Sequence, residues 1–152
     1  MNTNQNAEEQ PMLYGQDRNQ LRQVFFTAWQ KYNAKQPLEP LEQVIANIIA
    51  MHPEYHQYFA DEQASLDQDF LPESGQTNPF LHIGLHISIH EQLGVNQPAG
   101  ITDIYKNLLD KHQDPHTVEH LIMDCLAEMI WEAQRNNAVP DQGKYLQCIK
   151  RL

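Results

Sequence analysis

Apolar residues recur every three to four positions through most of the chain, the period at which one face of a helix meets a core. The first stripe, Leu21, Val24, Phe25, Ala28, Trp29 and Tyr32, predicts a helix over residues 17–35 with Asp17 as its N-cap. Pro37 and Pro40 break the chain. Leu41, Val44, Ile45, Ile48 and Ile49 then begin a second stripe that runs on to His52. Proline is favoured in a helix's first turn, so His52-Pro53-Glu54 can end one helix and open a short next one. Residues 60–77 are acidic and rich in Ser, Gly and Gln, have no clear period, and read as a long loop.

Asn78-Pro79 is an N-cap followed by a first-turn proline. The segment it opens is ambiguous, because Leu81, Ile83, Leu85, Ile87 and Ile89 alternate with His82, Gly84, His86, Ser88 and His90 as a strand would. The cap, the segment's length and the lack of any partner strand favour a buried helix ending near Gly94. Thr102 is the expected cap of the next helix, with Tyr105, Leu108 and Leu109 inward. Asp114-Pro115 opens the longest helix, to about Asn136. Its main stripe is Val118, Leu121, Ile122, Cys125, Leu126, Met129, Ile130 and Ala133, while His116, His120, Met123, Ala127 and Trp131 share the other side. A last helix from Asp141 packs Tyr145, Leu146 and Ile149. The prediction is an all-α, single-domain compact bundle of about five to six helices over residues 14–152, behind a disordered polar tail at residues 1–13.

With 152 residues and 41% hydrophobic content the chain can bury a core. Ten basic against 20 acidic residues give a net charge of -10, which disfavours nucleic acid and anionic membrane surfaces and favours bound cations. No run reaches the ~20 apolar residues of a membrane span, and the polar N-terminus lacks the pattern of a signal peptide. Cys125 and Cys148, each inside a helical pattern and without CxxC spacing, read as buried free thiols in a reducing cytoplasm.

All eight histidines fall in three groups with an internal spacing of four: His52 and His56; His82, His86 and His90; His112, His116 and His120. On a helix, residues i and i+4 share a face, so two imidazoles can reach one ion. The candidate metal-site residues are His52, His56, His82, His86, His116, Glu119, His120 and Glu128. Glu128 flanks the apolar stripe, where an unpaired carboxylate would be costly, and is the preferred acidic ligand or supporting partner. Imidazole with carboxylate suits Zn, Fe, Mn or Ni, with Zn or Fe preferred, and a catalytic site would use Glu119 or Glu128 as general base. The competing reading ties helices together with buried histidine hydrogen bonds, and His52 and His112 lie at expected helix C-termini, where imidazole complements the dipole. His90 and His112 rank lowest as ligands, and Trp29 and Trp131 read as core.

His116-Thr117-Val118-Glu119-His120 matches the HxxEH of inverted zinc proteases, but only 32 residues follow, too few for that family's distant glutamate ligand. The ferritin-like Glu-x-x-His pattern is absent, and a hemerythrin-like bundle is similar in ligand type but not in order. The blocks HPEYH (52–56), NPFLHxGxH (78–86) and HxxEH followed by CLAE and WEAQ (116–134) together resemble the bacterial family known as domain of unknown function 1841. The likeness runs from about residue 13 to the end. It implies a small cytoplasmic bacterial protein of no established activity. It also marks His52, Pro53, Glu54, His56, Asn78, Pro79, His82, His86, His116, Glu119, His120, Glu128 and Trp131, and leaves out His90.

Three functions are compatible with this sequence. The first is a transition-metal protein, with Zn or Fe in a His/Glu site between helices. The second is a non-catalytic interaction or adaptor protein whose histidines form a structural network, with self-association allowed. The third is a helical switch driven by imidazole protonation. No reaction or substrate is readable.

Overall fold

The computed structural model describes residues 18–70 and 78–152, and among these there are eight α-helices, one 3-10 turn and no strand. The helices are α1 (Arg18–Asn33), α2 (Pro40–Ala50), α3 (His56–Ala60), α4 (Glu62–Leu66), α5 (Pro79–Val95), α6 (Ile101–His112), α7 (Pro115–Arg135) and α8 (Gln142–Lys150), with the 3-10 turn at Pro53–Tyr55. The all-helical class holds, and the count exceeds five to six because residues 53–66 fold into short turns where the sequence shows little period. The tail at 1–13, the cap at Asp17 and most of the second half of the expected loop fall outside the described residues. Packing divides the chain into two compact units, Met1–Gly84 and Leu85–Leu152.

In the first unit α1 packs on α2, and Phe25, Phe26, Phe59 and Phe80 bury an aromatic core. Their rings meet at 5.2–6.4 Å, distances at which tilted and offset contacts add to the area they bury. Arg22 explains why the expected loop at 60–70 is partly helical. It is 3% exposed, its guanidinium lies 4.4 Å from the Phe80 ring centre, and Nη1 donates to the carbonyls of Ser65, Leu66 and Gln68 at 3.1, 3.0 and 2.7 Å. Those carbonyls close α4, whose start is capped by Asp61 accepting from the Ala64 amide. A charged fork from a distant helix thus does what a hydrophobic period would do elsewhere.

Asn78 caps α5 as predicted, accepting from the Phe80 and Leu81 amides. The strand-like alternation therefore lies on a helix of 17 residues. In the second unit, Ile89, Ile101, Leu108, Val118, Ile122, Met123, Leu126, Tyr145 and Ile149 form the core. Thr102 does not cap α6. The N-cap is Gly100 at φ 97, a conformation open mainly to glycine, and Asn96 Oδ1 takes the Gly100 and Thr102 amides. Asp114 and Asp141 do cap α7 and α8.

The cysteines correct the expectation of free thiols: Cys125 and Cys148 form a disulfide with their Cα atoms 5.9 Å apart. The cause is the return of α8 along α7. Residue 148 meets 125 and Lys144 lies 4.0 Å from Glu132, so the two helices run antiparallel and their inward cysteines coincide. Trp131 is not core. It is 56% exposed, with Arg135 stacked 5.1 Å from its ring. No described helix is long and apolar enough to cross a membrane.

Candidate functional site

Helix ends leave carbonyls short of amide donors, and proline at 53 has no amide to offer. Two histidine side chains donate into the last turn of α2, at Ile48 and at Ile49, whose carbonyl also takes the His52 amide at 3.0 Å. His52 Nδ1 stands 2.6 Å from the Ile48 carbonyl, and His56 Nε2 stands 2.8 Å from that of Ile49. A carbonyl can only accept, so both contacts fix the proton on the histidine nitrogen. His52 is thereby held as the Nδ1–H tautomer, and its Nε2 presents a lone pair. That Nε2 lies 3.2 Å from His82 Nε2. The His52 ring is 2% exposed and stacks on Tyr55 at 5.3 Å, whose phenol is pushed up to about 12, by burial first and then by the Glu54 and Tyr58 charges.

His52 and His56 do not share a helix face. The 3-10 turn between them breaks the α period, sending His56 back to α2 and against Trp29 at 4.8 Å. The i,i+4 argument needs continuous helix, and Pro53 removes it here.

In the second unit the same motif recurs with different partners. His86 is 1% exposed, and its Nε2 lies 3.2 Å from His120 Nε2. Its Nδ1 lies 3.6 Å from Glu119 Oε1, which His90 Nε2 approaches at 2.8 Å. Neither is a hydrogen bond at Oε1, the first being too long and the second misdirected, so these are electrostatic contacts. Burial acts most strongly on Glu119 and works upward, but the combined contacts and charges of His86 and His90 outweigh it and bring the carboxyl to about 2. His90 shifts upward in turn, by its contact with Glu119 first, with burial opposing. His116 stacks beside the pair, 4.1 Å from the His120 ring and 5.8 Å from that of His86.

His82 and His86 are one turn apart on α5 and share its face. Each unit thus brings two imidazoles from separate segments to 3.2 Å at their Nε2 atoms, His52 with His82 in the first and His86 with His120 in the second, a spacing at which both could hold an ion. Of the other candidates, His56 serves the α2 terminus, His116 lies beside the second pair, and Glu119 lies behind His86. Glu128 is exposed on a different side of α7, lining a cleft of about 290 Å³ with Cys125, Tyr145 and Cys148. His112 reaches the Leu152 carbonyl at 3.4 Å. The sequence pattern undervalued His90, which is exposed yet holds the buried carboxylate. Its spacing of four from His86 was the available signal.

These features define an all-helical protein in which histidines from separate segments converge through their Nε2 atoms. Its family follows from the sequence match. The chain belongs to the family described as Domain of unknown function (DUF1841), whose model matches residues 17–151. No curated protein and no solved structure matches the chain.

Proposed function

We propose that this protein binds a transition-metal ion, Zn or Fe, through its paired histidines, His52 with His82 in the first unit and His86 with His120 in the second. The observation that carries the reading is that in each pair the two Nε2 atoms, from separate segments, stand 3.2 Å apart. Two nitrogens on one tetrahedral ion, each at about 2.0–2.1 Å, stand roughly 3.3–3.4 Å apart. Both Nε2 pairs, at 3.2 Å, come close to that separation. Neutral imidazoles suit borderline divalent ions, and a carboxylate behind one of them is the usual supporting arrangement. In the ion-free protein His82 would donate to His52 and His120 to His86, and an ion at a pair would replace the proton its two rings share. The net charge of -10 favours a cation anywhere on the molecule.

Metal content of untagged protein, as isolated and after reconstitution, tests the proposal. At least one equivalent is expected, with the share held by the second pair lost in His86→Ala and His120→Ala. Less than a few tenths of an equivalent of any transition metal would refute it, and full stoichiometry in both variants would place the ion elsewhere. The second reading is an adaptor whose histidines only hydrogen-bond, and the two ready-made histidine pairs favour it. It expects a melting temperature that chelator does not change.

A further inference from the structure

We infer that Glu119 is a positioning residue for the proposed ion site, not a ligand, and that His90 is the solvent-side anchor holding it there. This rests on the metal reading for its purpose but not for its geometry. Glu119 is 7% exposed and directly precedes His120 on α7. Its Oε1 faces the Nδ1 edge of His86, and the opposite edge, Nε2, faces His120. The carboxylate therefore stands behind the ring, where it cannot share an ion with Nε2.

What it can do is choose the tautomer. A neutral imidazole carries its proton on one nitrogen, and a lone pair at Nδ1 would face the negative oxygen at 3.6 Å. Repulsion puts the proton on Nδ1 and leaves the Nε2 lone pair directed at His120. The contact need not be a directed hydrogen bond for this, because the charge alone sets the preference. The Ile48 carbonyl does the same for His52, so each histidine pair has one ring locked from behind, by a neutral acceptor in one case and an anion in the other. The anion also makes His86 a more basic ligand and offsets part of an ion's charge.

A buried carboxylate facing one imidazole at 3.6 Å would be poorly held. His90 supplies the rest, one turn further along α5, with Nε2 2.8 Å from the same oxygen and a side chain 46% exposed. It fixes the carboxylate from the open side without lying among the converging nitrogens.

The test reads the tautomer in ion-free, 15N-labelled protein at neutral pH, from long-range imidazole 1H–15N correlations. His86 is expected as Nδ1–H in the wild type, shifted toward Nε2–H in Glu119→Ala and largely restored in Glu119→Gln, whose amide oxygen still accepts. His90→Ala, a change at an exposed side chain, is expected to shift it in the same direction, and it keeps the test open if Glu119→Ala does not fold. An Nε2–H His86 in the wild type, or a tautomer indifferent to both Glu119→Ala and His90→Ala, overturns the inference. In parallel, Zn titration is expected to show about 10–100-fold weaker binding in Glu119→Ala, with intermediate loss in Glu119→Gln. A wild type that takes up no metal but shows the Glu119-dependent tautomer defeats the metal reading and leaves the positioning role intact. Normal uptake with an indifferent tautomer does the reverse.

Discussion

Breaking the Cys125–Cys148 bond should destabilise the second unit measurably without unfolding the protein. The bridge closes a loop of 23 residues that contains the second half of α7, the connection and most of α8. Chain-entropy reasoning gives about 3 kcal/mol for a loop of that length, through restriction of the unfolded chain. The native contacts that remain are enough to hold α8 in place. Tyr145 and Ile149 are fully buried, and the Tyr145 hydroxyl donates to Gln92 Oε1 at 2.6 Å. For a chain of this size about 3 kcal/mol corresponds to a fall in Tm of roughly 10 °C. The assay is thermal unfolding followed by circular dichroism, with and without a phosphine reductant, in the presence of chelator throughout so that metal exchange does not enter.

Two further observations sharpen that experiment. Cys125→Ala/Cys148→Ala protein should melt near the reduced wild type and ignore reductant. The denatured, non-reduced wild type should contain no titratable thiol. Oxidised and reduced proteins melting within a degree or two of each other would refute the entropic argument. Two free thiols in the non-reduced protein would refute the pairing itself, and would return both cysteines to the buried-thiol reading that their sequence spacing suggests.

Three other outcomes follow from the geometry. Arg22→Met should cost roughly 3 kcal/mol, because three carbonyls at the end of α4 lose a charged donor. A loss below about 0.5 kcal/mol in urea unfolding would show that α4 is held by packing alone. His56→Ala should lower stability by about 1 kcal/mol, since it removes the bond to the Ile49 carbonyl, yet leave metal stoichiometry intact. Loss of metal in that variant would put His56 back among the ligands. Burial raises the Tyr145 phenol well above its ordinary value of 10.0. The folded protein thus favours the neutral phenol; this contribution is complete below pH 10 and is lost as pH rises from there through the raised value. Tm measured from pH 8 upward should fall more steeply in the wild type than in Tyr145→Phe, and parallel curves would contradict it.

The fold was legible wherever a helix carried its own punctuation. Asn78 and Asp114 each announce a helix start from side-chain chemistry confined to three or four residues and cap as read, and Asp141, where the last helix is placed, caps it too. Thr102 failed because its competitor was non-local in sequence: Asn96 reaches over the Gly100 turn and takes the amides first. The site divides along the same line. Spacing of four held meaning on α5 and α7, which are continuous, and lost it across Pro53, where a 3-10 turn gives His52 and His56 separate carbonyls. Glu128 and Glu119 show the other limit. Both lie on α7, and the cost of an unpaired carboxylate beside the apolar stripe ranks Glu128 first from sequence. Yet Glu128 is exposed on the disulfide side, and Glu119 is buried behind His86. What separates them is which neighbouring helix each side of α7 meets, and that is a tertiary fact no local period encodes. Residue types on one helix can nominate ligands. The neighbouring helix decides which of them meets a partner, and for Glu119 on α7 that neighbour is α5, which brings His86 and His90 to its carboxylate.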